Sequence, residues 1–140
     1  MKIFFTFPYV ELEKYYEHYQ TLIDVLKAAG HELTYEWVDE AMELIKVGKP
    51  QPSRAKRYAR ITKAIRDADV CIFDVTIRAM SAGQQFTYAI EHSKPTLLLN
   101  NVVESRTLEE LYVGGSKSGF LTLNDYRTTD EAIKYFKGKI

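Results

Sequence analysis

"ADVCIFDVTIRAMSAGQQFTYAIEHSKPTLLL", Ala68 to Leu99, holds two short apolar runs separated by a turn and a helix-forming stretch. Ala68 to Val75 is continuous and rich in β-branched and aromatic residues, as in a strand buried on both faces. Ser81-Ala82-Gly83 is a small-residue turn. "GQQFTYAIEHS", Gly83 to Ser93, reads as a helix, and Lys94 to Asn100 as a second buried strand. Two strands joined by a helix must run parallel, because only a crossover of that length brings the chain back to the same end of a sheet. Just after the turn stand two amides, Gln84 and Gln85, where α/β enzymes often keep a reactive carboxylate.

The unit repeats on either side. Lys2 to Phe7 is a short apolar strand stopped by Pro8. Val10 to Ala29 has helical spacing (Leu12, Tyr15, Tyr16, Tyr19, Leu22, Ile23, Leu26), with Gly30 as its stop. In His31 to Val38, Leu33, Tyr35 and Trp37 alternate with polar residues, which predicts a second strand closed by Trp37. "KVGKPQPSR", Lys46 to Arg54, is a loop expected to lie over an opening in the fold. Ser53 caps a helix running to Asp67. After the central unit come a short helix at Arg106 to Tyr112, a strand at Gly119 to Asp125 and a helix at Thr128 to Phe136. The alternation predicts an α/β, flavodoxin-like or Rossmann-like three-layer sandwich. Its five-stranded parallel sheet has order 2-1-3-4-5, in a single domain over 1–140.

Composition narrows the function. Nineteen basic and nineteen acidic residues cancel, which argues against polymeric nucleic acid as a partner but not against a local phosphate site. The single cysteine, Cys71, cannot form an internal disulfide and lies in a core strand. With no membrane-length apolar run and no secretory leader pattern, a cytoplasmic protein is expected. The three histidines are scattered and no metal-ligand spacing occurs, so neither metal nor organic cofactor is expected.

In a 2-1-3-4-5 sheet, ligands bind beyond the carboxyl ends of the strands, at the point where strand order reverses. Phe7, Pro8 and Tyr9 are presented there after the first strand, and Asp74, Thr76 and the turn Ser81-Ala82-Gly83 after the third. Asn100 ends the fourth strand and Trp37 the second. Free amides at the start of the following helix attract anions, and small residues let a ligand approach. The same turn is equally readable as a simple cap by Ser81. The basic run Arg54 to Arg60 is either a phosphate contact or a solvated helix face.

The Ala68–Leu99 string resembles the nucleoside 2-deoxyribosyltransferase family, which includes the 2′-deoxynucleoside 5′-phosphate N-hydrolases. The shared pattern is a buried strand ending in an acidic residue, a small-residue turn with Gly, a catalytic Glu, a helix, Lys-Pro and another buried strand. "KIFFTFPY" and "GFLTLNDYRTTDEAIKYF" fit the same frame, so the resemblance spans nearly the whole chain. It implies cleavage or transfer at an N-glycosidic bond, a nucleoside or nucleotide ligand, and a homodimer. Exposed faces at Tyr15, Tyr16, Tyr19, Phe86 and Tyr88 would support that dimer, though most of these residues read equally well as core. Aligned residue by residue, the catalytic Glu falls on Gln85. Phe7-Pro8-Tyr9 replace the family's Gly-Ser pair, and Arg60-Ile61-Thr62 stand where an Asp is common.

Three readings of Gln85 follow: an introduced Glu→Gln substitution, a non-catalytic nucleotide-binding relative, or N-glycosidic chemistry run by another acid. Asp74 is the best-placed substitute. Glu91, six residues along the helix, is rotated about 120° from Gln85. Two further classes stay open. "IFFTFPY" resembles NAD-cleaving signalling domains of the Toll/interleukin-receptor kind, and a protein-interaction module needs no small ligand at all.

Overall fold

The computed structural model describes residues 1–139. Its five strands are β1 (Lys2–Thr6), β2 (Glu32–Leu33), β3 (Val70–Asp74), β4 (Thr96–Asn101) and β5 (Leu121–Tyr126). They form one sheet in the order β2-β1-β3-β4-β5, every pair parallel. The helices are α1 (Leu12–Ala28), α2 (Val38–Lys46), α3 (Arg54–Asp67), α4 (Met80–Glu91) and α5 (Thr129–Lys139). Two 3-10 turns, Leu108–Glu110 and Tyr112–Gly115, take the place of the short helix expected near Arg106.

Strand periodicity sorts the core. Ile3, Phe5, Ile72, Leu97 and Leu99 point to one face and pack under α1, α2 and α5; Phe4, Cys71, Phe73 and Leu98 point to the other, under α3 and α4. Both faces are covered, which is why the three inner strands read as unbroken apolar runs. Cys71 sits wholly inside, and burial pushes its thiol up to about 12, so it behaves as a small hydrophobe. Gly30, with φ +89, ends α1 in the left-handed conformation that glycine adopts without strain. Ser53 caps α3 by accepting from the Lys56 amide at 3.2 Å. No helix among the described residues is long and apolar enough to cross a membrane.

The expectation for His31–Val38 is the main error of local structure. The strand stops at Leu33, and Trp37, rather than closing it, leads into α2. Leu33, Tyr35 and Trp37 alternate in sequence, yet Leu33 and Trp37 pack on the α1 side while Tyr35 stacks near Phe4 on the other. Tertiary packing used the alternation to straddle the sheet edge, not to extend it. Helix α4 also begins earlier than expected, at Met80, so its N-cap is Ala79 and Ser81 lies in the first turn without a capping bond.

Candidate functional site

Beyond the carboxyl ends of β1 and β3 lies a cleft of about 1010 Å³. The β1–α1 loop forms one side, the entry to α2 and the loop at Gln51-Pro52 another. Helices α3 and α4, which pack together, form the rest. The loop over the opening is tied down by Gln51, whose amide donates to the Ala41 carbonyl at 3.2 Å.

Most of the residues singled out from sequence meet here. Phe7, Pro8, Tyr9, Trp37, Asp74, Ser81, Ala82, Gly83 and Gln85 all line the cleft. Phe7 is buried, stacked on Tyr19 at 3.8 Å between ring centres and tilted against Trp37 at 5.0 Å. Tyr9 is exposed at the rim. The amides of Met80, Ser81 and Ala82 precede the first intrahelical bond of α4 and are free in its first turn. A Cβ at Gly83 would meet no atom within 4 Å, so the helix backbone there is open. Gln85 is half-buried on the cleft wall, and its amide has no hydrogen-bond partner among the described residues.

Thr76 and Asn100 are placed differently. Both are buried and neither lines the cleft. The Thr76 hydroxyl accepts from the Asn101 amide at 2.8 Å. Asn100 donates to the Arg106 carbonyl at 2.8 Å and to Asp125 Oδ1 at 2.7 Å, and its own oxygen accepts from Arg78 at 3.0 Å. The pair therefore brace the loops behind the site. The aromatic faces considered for a dimer are also inward: Tyr19 is buried, and Tyr15, Tyr16, Phe86 and Tyr88 pack on the two cores.

Asp74 reaches the cleft floor but is only 1% exposed. Its alternation with Ile72 turns it toward the α1/α5 face. There Oδ1 accepts from the Thr76 amide at 3.0 Å and Oδ2 from the Tyr126 hydroxyl at 2.5 Å. Burial first, and the nearby carboxylate second, push the Tyr19 and Tyr126 phenols far above their ordinary range, so both stay protonated. Since the Tyr126 proton goes to Asp74, its oxygen accepts from His18 Nε2 at 2.9 Å. His18 Nδ1 then accepts from the Thr129 hydroxyl at 2.7 Å. This chain from β3 through β5 to α1 and α5 was invisible in the sequence, because its four members come from four separate elements.

Burial lowers the His18 pKa below 6.5, against a smaller opposing pull from Asp74. The folded protein then binds fewer protons here than the unfolded chain. This contribution to stability is present above about pH 6.5 and is lost as the pH falls toward the folded value. The unfolding free energy from urea titrations should therefore drop between about pH 7.5 and 5.5, by no more than about 1.4 kcal/mol per pH unit, and His18→Gln should flatten that slope. An unchanged slope in the variant would remove His18 as its source.

No protein-family model matches this chain, and no curated protein does. Among solved structures the chain is similar to a CMP N-glycosidase, BcmB, from Clostridium botulinum. The TM-score is 0.71 over 98% of each chain, at 13% sequence identity. At that identity the likeness speaks for the fold.

Several cleft residues were not placed in the pocket by the sequence reading, which considered Tyr88 for a dimer face and Glu91 only as a substitute acid turned away from Gln85. Tyr35, Tyr58 and Tyr88 add aromatic surface, and Glu40 pairs with Arg60 at 3.3 Å. Arg78 is bound to the carbonyls of Val75 and Arg106 as well as to Asn100, which fixes the loop between β3 and α4. Glu91 lines the cleft too, on the same helical face as Gln84, seven residues before it. On α4 the signal was a stripe at i, i+4 and i+7, Gln84, Tyr88 and Glu91, that reads equally well as a helix packing face.

Proposed function

We propose that this chain binds a nucleoside or nucleotide in the cleft, and that N-glycosidic chemistry there is silenced at Gln85. One observation carries the reading. An unpartnered amide at position 85 lies on the wall of an aromatic cleft at the sheet's switch point, where the resemblance puts a catalytic carboxylate. In this reading Phe7, Tyr9 and Trp37 shape the base pocket. Ser81, Ala82 and Gly83 receive a phosphate or the ribose through the open start of α4. Gln85 faces the sugar. Asp74 positions the floor through Tyr126, with Thr76 and Asn100 behind it.

An amide can hydrogen-bond a sugar hydroxyl. It cannot serve as a useful nucleophile, nor offer full negative charge to an anomeric carbon gaining oxocarbenium character. The unaltered chain is thus a binder, acting in the cytoplasm without metal or organic cofactor. Its fold likeness to a CMP N-glycosidase is consistent with a nucleotide ligand. A homodimer belongs to the same proposal: Tyr9, Val10, Tyr58 and Met80 leave an exposed apolar rim that a second subunit would cover.

Calorimetry with nucleosides, their 5′-monophosphates and NAD tests this, with light scattering for the dimer. Saturable binding of a nucleoside or monophosphate, without release of free base, is expected. No binding by any of them would overturn the proposal, and release of nicotinamide from NAD would replace it with the signalling activity.

A further inference from the structure

Resting on that reading, we propose that the ligand carries more than one phosphate, the second held by Arg54 and Arg57 at the outer end of α3. Four guanidinium groups line the cleft. Arg60 is engaged by Glu40, and Arg78 by two carbonyls and Asn100. Arg54 and Arg57 are exposed and have no carboxylate partner among the described residues. Among the cleft carboxylates Glu40 is paired with Arg60 and Asp74 is committed to Thr76 and Tyr126, which leaves Glu91 on α4 against the two unpaired arginines. The chain as a whole is neutral, so this wall is a local excess of positive charge.

Arg54 and Arg57 are three residues apart, about 4.5 Å along the helix and about 60° apart around it, so two planar forks can close on one anion. Their place on the helix sharpens the point. The first turn of α3 has no acidic residue and carries Arg54, Lys56 and Arg57. Cations at a helix start oppose its dipole, so they are misplaced for stability and well placed for an arriving anion. The cleft-facing side of α3 also grades along its length. Its first turn presents the two unpaired arginines, and beyond Tyr58 and the paired Arg60 its inner turns present Ile61, Thr62 and Ile65. An apolar base inside and a phosphate outside match that gradient.

Room and a second anion position argue for more than a monophosphate. The first turn of α4 is a separate place for phosphate on the same cleft. The volume, about 1010 Å³, lies at the top of the roughly 300–1,000 Å³ that holds drug-sized ligands. A nucleoside diphosphate, or a nucleotide whose phosphates are joined in a pyrophosphate, supplies an anion for each.

The test is calorimetry of ribonucleoside 5′-monophosphates against the matching 5′-diphosphates, with the unaltered chain and with Arg54→Gln/Arg57→Gln. The diphosphates should bind the unaltered chain about tenfold tighter or more. The double variant should lose that preference while binding monophosphates as before. Its thermal midpoint should be unchanged or slightly higher, because the cations opposing the helix start are gone. Equal binding of mono- and diphosphates by the unaltered chain would overturn this subsite and leave the nucleotide reading intact. So would a variant that keeps the preference. Absence of binding by both sets would overturn the two together.

Discussion

Replacing Gln85 with glutamate is expected to raise release of free base from the bound nucleoside or nucleotide by about 10²- to 10⁴-fold over the unaltered chain. The two side chains have nearly the same shape, so the cleft should be preserved and only its charge changed. The half-buried position on α4 would hold the new carboxylate partly away from water, strengthening its attraction for a cationic sugar. Chromatography of the products after hours of incubation gives the rate. Equal rates for the two proteins would mean that position 85 does not face the anomeric carbon. If the unaltered chain is itself fast, the acid lies elsewhere, and Glu91 on the same cleft becomes the residue to replace next.

Asp74→Ala is expected to destabilise the fold by about 3 kcal/mol, lowering the thermal midpoint by roughly 10 °C. The substitution strips a buried Tyr126 hydroxyl and the Thr76 amide of their acceptor at once. It also unties the chain that reaches α1 through His18 and α5 through Thr129. Tyr126→Phe removes one member and should cost about 1 kcal/mol, and the two changes together should cost less than their sum because they break the same bond. Melting curves for the three variants decide it. A more stable Asp74→Ala protein would mean that the buried carboxylate is kept against stability, and would return it to consideration as a reacting acid.

How much could be read beforehand follows from which interactions are local. The sheet order was legible because β1, β3 and β4 are buried on both faces and so appear as apolar runs punctuated by Pro8, Gly30 and Pro95. The ends were less so. β2 is two residues long at an edge, and its alternation belonged to side chains gripping both faces of the sheet rim. Helix α2 carries Val38, Ala41, Met42 and Ile45 at helical spacing behind Asp39 and Glu40, a start that suits the helix dipole. That pattern is present in the sequence but is not among the elements expected from it. At the site, the residues of β1, β3 and the turn into α4 were found because the strand ends locate them. Tyr126, His18 and the commitments of Arg78 and Asn100 depend on contacts across tens of residues, and one-dimensional spacing does not encode those.

The most direct measurement is a crystal structure of the unaltered chain grown with a ribonucleoside 5′-monophosphate. The account predicts the ligand in the cleft between α3 and α4, with its anomeric carbon within about 3.5 Å of the Gln85 amide and its base against Phe7, Tyr9 or Trp37. A nucleotide bound elsewhere, or seated in the cleft with its sugar turned away from residue 85, would contradict it.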